Sequence, residues 1–304
     1  MQFDWLALSN PVAIWWIFLV LVSSGNIAVL LGLYWRLRRS SDSRRTATVA
    51  IEPLFLLSAA YVSGCAFRSV LPRADVQRIC LFDTWLSSVF VGRSVATVAE
   101  ICFVVQWVIV LRAFAHGTNA DTTRNISRAI VPLVVLAEGC SWYAVITTSY
   151  IGNVLENSVW TVIFLLIAVA LLQLLTKFRG AGQFAIAAAA TGVVGYVAFM
   201  CSVDVPMYFA RWQAEVASGR ESFGLLSGLH DVTTRWVVTR DIAHWRDEIA
   251  WMSLYFSAAV WASLLLASFG LVKHLIPRYR VNRLLPKPTS RPLPIPVQSS
   301  RWLF

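Results

Sequence analysis

Charge is scarce in this 304-residue sequence: Asp, Glu, Lys and Arg together make up 14% of it, against 58% hydrophobic residues. A fold in water has no way to bury that much apolar surface, so the composition excludes a soluble globular protein. Lysine is missing from the middle of every apolar stretch. Lys177 and Lys273 stand only at the ends of such stretches, which disfavours a retinal Schiff base. Histidine is equally thin: His116, His230, His244 and His274 are the four present, all at or beyond the ends of apolar stretches. That placement disfavours haem held between helices by paired histidines. Five cysteines at wide spacing form no zinc or thioredoxin-like motif. Cys65 and Cys80 flank one connector and are the candidate disulfide if that compartment is oxidising, while Cys102, Cys140 and Cys201 read as small buried apolar residues. No metal site is expected, and no cofactor is named by any motif.

What is abundant is long apolar sequence. Seven stretches are each long enough to cross a hydrocarbon core of about 30 Å at about 1.5 Å per helical residue: Pro11–Trp35, Val49–Phe67, Trp85–Ala113, Ile130–Ile151, Val159–Thr176, Phe184–Val203 and Ile249–Val272. None alternates as a barrel strand would, so the fold class is an all-α polytopic transmembrane helix bundle. The first stretch is too long and too rich in Trp for a signal peptide and is read as a retained span. Residues 1–276 form the membrane domain, and 277–304 a basic, Pro-rich tail.

Seven spans place the two termini on opposite sides. Of the 26 Lys and Arg, 17 fall in connectors one, three and five and in the C-terminal tail, so these are expected in the cytoplasm and the N-terminus outside. The net charge of +10 then faces anionic lipid head groups rather than nucleic acid, and the expected location is a bacterial plasma membrane. Trp5, Trp85, Trp160, Trp212, Trp245 and Trp251 lie near the expected outer boundaries and read as interfacial anchors. Asn125, Ile126 and Ser127 match a glycosylation acceptor on the inward side and are expected to be unmodified.

Ionisable residues inside spans carry the most information, because insertion costs about 2.5–3.5 kcal/mol for Arg or Asp at a helix centre. In the third span Arg93, Thr97 and Glu100 share one face. The fourth answers with Glu138, Ser141, Thr148 and Gly152 along one stripe, and short triplets around Glu100 and Glu138 echo each other: Ala99, Glu100, Cys102 and Ala137, Glu138, Cys140. Two acids and one Arg in low dielectric predict an ion pair with a second acid that is protonated or paired elsewhere. The alternative is a structural network that glues helices together. Asn26 with Ser23 and Ser24, and Gly192, Gly195 and Tyr196, read as packing features.

The segment from Arg211 to Glu248 is the large outer connector, with charge and aromatics interleaved. A helix over Asp241–Trp251 would align Asp241, His244 and Glu248, and with His230 and Asp231 these are candidate acid, base or ligand groups at the lipid surface; a solvated amphipathic or interfacial face explains the same pattern. The tail carries Pro286, Pro288, Pro292, Pro294 and Pro296. Lipids are expected partners, and protein partners are expected at the tail or outer connector. The leading functional expectation is a non-catalytic accessory or scaffold subunit of a larger membrane complex; the alternatives are an intramembrane or lipid-surface enzyme acting on a hydrophobic substrate, and a proton-coupled transporter or sensor built on Arg93, Glu100 and Glu138.

Overall fold

The computed structural model describes residues 10–42 and 53–272. Trp5, His274 and the Pro-rich tail, with the partner contacts expected of it, lie outside the described residues. Within them the protein is an all-α polytopic membrane protein with seven helical segments long and apolar enough to span a bilayer. In order these are α1 (Pro11–Asp42), α2 (Pro53–Val70), α3 (Val89–Thr118), α4 (Asp121–Thr147) and α5 (Tyr150–Leu175). The sixth is α6 (Ala181–Phe199) continued through a π-helical turn (Met200–Asp204) into α7 (Val205–Ala217). Between it and the last span come α8 (Leu225–Thr234) and a short strand; the last span is α9 (Ile242–Leu254), a second π turn (Tyr255–Ala259) and α10 (Val260–Val272).

Consecutive spans pack as neighbours from α1 to α6, and α10 returns against α1, α2 and α3. Buried polar groups fix that closure. Asn26 on α1 donates to the Phe256 carbonyl at 3.0 Å, a carbonyl inside the second π turn, where the widened helix shifts backbone groups out of the usual ladder. Lower in the bundle Ser263 donates to Gln106 at 2.7 Å and meets Ser58 at 3.0 Å. The N-terminus of α4 has no capping side chain at Ala120; instead Gln173 of α5 accepts from the Thr123 N–H at 2.9 Å, satisfying a donor that the helix itself leaves open.

One end of the bundle carries a cap built from two connectors. β1 (Arg73–Ala74) and β2 (Ile79–Cys80) form a hairpin, and β3 (Val237–Val238), far along the chain, pairs with β2 in parallel. A one-turn 3-10 helix, Trp85–Ser87, leads into α3. The cap sits on the tight α4–α5 turn, where Thr148 has a positive φ of 58°. Carbonyls that α4 leaves without intrahelical partners at its C-terminus are met by the cap: Val145 O by Arg78 at 2.6 Å, Thr147 O by the Phe223 N–H at 2.9 Å, and Thr148 O by Arg220. Gly228 lies so close to this turn that a Cβ there would stand 2.1 Å from the Ile146 oxygen, which only glycine tolerates. On α8 the opposite face is apolar and open, with Leu226 85% exposed.

Several sequence expectations need correction. The apolar stretches are shorter than the helices: α4 begins at Asp121, α5 at Tyr150 and the last span at Ile242, so each helix runs on past the apolar stretch into polar sequence. The expected stripe from Glu138 to Gly152 breaks at Thr148; Gly152 belongs to α5 and packs back against Ala144 and Cys140 of α4. Trp160 and Trp245 are buried rather than interfacial, Trp245 at 0% exposure against Trp15 with ring centres 5.4 Å apart. Among the described residues nothing stands within 4 Å of where a Cβ on Gly192 or Gly195 would be, and Cys201 is exposed. The outer connector is also smaller than expected, since α7 and α9 absorb both of its ends.

Candidate functional site

Arg93 is the centre of the site. It lies one turn inside α3, and its side chain follows the helix towards Glu100, seven residues and about 10 Å further along the axis. Its Nη2 donates to Glu100 Oε2 at 2.8 Å and to Glu138 Oε2 at 2.7 Å. Its Nη1 lies 3.6 Å from Glu156 Oε1. Three neighbouring helices thus each direct one carboxyl at a single guanidinium, and all four side chains are buried.

Neutral donors complete the surroundings. Thr97 donates to Glu138 Oε2 at 2.6 Å and itself accepts from the Trp142 indole at 3.1 Å. Asn153 donates to Glu156 at 3.1 Å, Ser141 is within hydrogen-bonding reach of the same carboxyl, and the Tyr255 hydroxyl donates to Glu100 Oε1 at 3.3 Å. Glu138 Oε1 is buried and receives no hydrogen bond. A bare carboxylate oxygen in such a place is costly, and a proton on the group removes the charge part of that cost.

The sequence identified Arg93, Thr97, Glu100, Glu138 and Ser141, and the structure brings all five together. It missed Glu156, which was assigned to a connector outside the membrane. The signal was available: Glu156 follows Gly152 by four residues, on the face of α5 that presses closest to α4.

Above this cluster the cap contributes a second buried charge network. Arg73, 1% exposed, donates to the carbonyls of Ser88 and Val89 at the start of α3 and pairs with Asp75 at 2.9 Å. Gly92 makes room for it, since a Cβ there would fall within 1.9 Å of the guanidinium carbon. Arg68 reaches the same Asp75 at 3.6 Å. Burial alone would push the Asp75 carboxyl up, but Arg68 and Arg73 outweigh it and hold it below the ordinary carboxylate value. A carboxyl so held stabilises the fold above its unfolded pKa of about 3.9 and loses that contribution as pH falls through the lower folded value. The cap should therefore loosen in acid below about pH 4, read as faster amide exchange at residues 71–88, and Asp75→Asn should already be loose at neutral pH and lack the acid transition.

The residues expected at the outer surface are dispersed. The His230 ring meets the Thr234 hydroxyl at 3.5 Å. Asp231 joins Arg78 at 2.7 Å and Arg235, and although burial opposes it, these two guanidinium groups hold its carboxyl low. Asp241 caps α9 through the Ala243 N–H at 3.0 Å, and His244 stands 3.7 Å from it on an exposed face. Glu248 faces inward instead, bonded to Gln77 at 2.9 Å, Arg211 at 3.2 Å and Trp251 at 2.6 Å. Among the described residues no group of three or more His, Cys, Asp or Glu is arranged to hold a metal ion.

No family model, curated protein or solved structure matches this chain. The functional reading therefore rests on the site itself.

Cys65 and Cys80 are both free and buried, not bridged. Cys65 faces the α2–α3 contact on the bundle side, while the Cys80 thiol donates to the Phe82 carbonyl at 3.3 Å, and burial pushes that thiol up, away from the reactive thiolate.

Proposed function

We propose that this protein is a proton-coupled transporter or sensor of a bacterial plasma membrane, with its N-terminus outside, in which Arg93, Glu100, Glu138 and Glu156 bind and release a proton. The observation that supports this most directly is the imbalance of one buried guanidinium against three buried carboxyls from α3, α4 and α5. One cation compensates one carboxylate; in a low-dielectric interior the remaining acids are neutral only when they carry protons. Glu100 and Glu138 meet on the same Nη2 and titrate as a pair. Gain or loss of a proton changes which of them Arg93 holds, and that choice is transmitted to the α3, α4 and α5 contacts.

Neither alternative draws comparable support. The accessory-subunit reading rests on the tail, which lies outside the described residues, on the aromatic outer connector and on the lack of a catalytic motif; the enzyme reading uses the same Arg93, Glu100 and Glu138 and adds His244 and Asp241, which stand on an exposed face with no shared site of their own.

Trp142 provides a built-in reporter, because its indole N–H is linked through Thr97 to Glu138. In protein reconstituted into lipid vesicles, Trp emission should change with pH, and the change should be lost in both Glu138→Gln and Trp142→Phe. Glu138→Gln should also abolish any pH-driven signal of a dye trapped in the vesicles. A flat emission profile in the wild type, or a pH response that persists in Glu138→Gln, would rule the reading out.

A further inference from the structure

Glu100 has a second side. Arg93 on α3, Glu138 on α4 and Glu156 on α5 face it within the cluster. Tyr196 of α6, packed on Phe164 of α5, is also near it, and away from the cluster it faces Tyr61, Cys65 and Arg68 of α2 and Tyr255 of the π turn.

On that side lies a cavity of about 10 Å³ between α2, α3 and the π turn, bounded by Gly64, Cys65, Arg68, Ala96, Glu100 and Tyr255. It exists because the residues at this helix contact are small: a Cβ on Gly64 would sit 2.8 Å from that of Ala99. The space is about the smallest that holds one water, and a water there also needs two or more polar partners. Those partners are present. Glu100, Tyr255 and Arg68 border the cavity, and Arg68, 7% exposed, has a buried Nε without a hydrogen-bond partner. A buried guanidinium N–H without an acceptor is costly, and a water oxygen in this space supplies one.

The opposite direction along α3 is lined first by aromatic rings. Tyr61 stacks on Phe103 with ring centres 4.7 Å apart, and Trp107 packs edge-on behind it. Glu100 thus meets polar space towards the cap and aromatic rings towards the other end.

Building on the proton-binding reading above, we infer that the cavity holds one ordered water joining Arg68 to Glu100, and that Glu100 exchanges its proton through this water with the capped end only. In the outward step the Glu100 O–H bond breaks and its proton bonds to the water oxygen. One proton of the resulting hydronium passes to solvent water at the cap, so the bridging water is regenerated and the carboxylate stays beside Arg93. The inward step is the reverse.

The test is hydrogen–deuterium exchange of the buried carboxylic acid, followed by infrared difference spectroscopy on vesicle-reconstituted protein and assigned by loss of the band in Glu100→Gln. Ala96→Leu fills the cavity from α3 and is expected to retain the band while slowing its exchange about tenfold or more. Ala96→Val is the milder filler should the Leu variant not fold, and Ala96→Gly, which adds no atom to the space, is expected to exchange at least as fast as the wild type does. Exchange unaffected by either filler overturns the water site while leaving the proton-binding reading intact. Absence of any carboxylic acid band that depends on Glu100 defeats both.

Discussion

Arg93→Leu is expected to destabilise the folded bundle by about 3–5 kcal/mol, the usual cost of removing one partner from a buried charge network. The leucine fills much of the space, so the loss is electrostatic: Glu100, Glu138 and Glu156 remain within the bundle with no cation among them. Unfolding in mild detergent, followed by the shift in midpoint, measures it. Adding Glu100→Gln, Glu138→Gln and Glu156→Gln to Arg93→Leu should recover most of the loss, because amides need hydrogen bonds but no counter-charge. That recovery separates a charge effect from a packing effect. If Arg93→Leu stays within about 1 kcal/mol of the wild type, the three carboxyls are already neutral without the guanidinium, and the charge imbalance on which the proposed function rests is absent.

The second large effect is expected at Arg78. This residue adopts a positive φ of 61° in the hairpin turn, a region non-glycine residues seldom enter. Its side chain explains why the strain is tolerated: it donates to Asp231 at 2.7 Å, to the Asp75 carbonyl at 2.6 Å and to Val145 O at 2.6 Å. Arg78→Met leaves two buried carbonyls without donors and is expected to cost about 3 kcal/mol or more. The damage should be local, with amide exchange rising over 71–88 and 218–241 while α3 to α5 stay protected. Arg235→Ala is the matched control: Arg235 also pairs with Asp231, but its side chain is 49% exposed, so its loss should cost less than about 1 kcal/mol. Equal effects from the two substitutions would mean that Arg78 braces nothing beyond Asp231.

Much of this arrangement was legible in the sequence, for identifiable reasons. Membrane spans announce themselves because length and apolarity are required over the whole hydrocarbon thickness, and Arg93, Glu100 and Glu138 stood out because charge is costly there. The seven spans are found as expected, with their ends shifted. Glu156 was hidden by the same rule applied too strictly: its surrounding turn is polar, so the segment was assigned to water, whereas the polarity belongs to the cluster. The cap was hidden for a different reason. Two-residue strands carry no alternation to detect, and the contacts of Arg73 and Arg78 with carbonyls at the ends of α3 and α4 depend on backbone geometry that no residue pattern encodes. Arg68, Arg73 and Arg78 were counted as solvent-facing connector charge, yet all three are buried. Trp245 shows the same limit, since a Trp near a boundary looks alike whether it faces head groups or another Trp.

The pairing of β3 with β2 has a mechanical meaning for any motion of the spans. Because it fastens the link between α2 and α3 to the link between α7 and α9, the helices are held like the legs of a clothes-peg at its spring. Swings of the bundle would therefore be levered about the cap, with Arg93 and the three carboxyls that surround it close to the fulcrum.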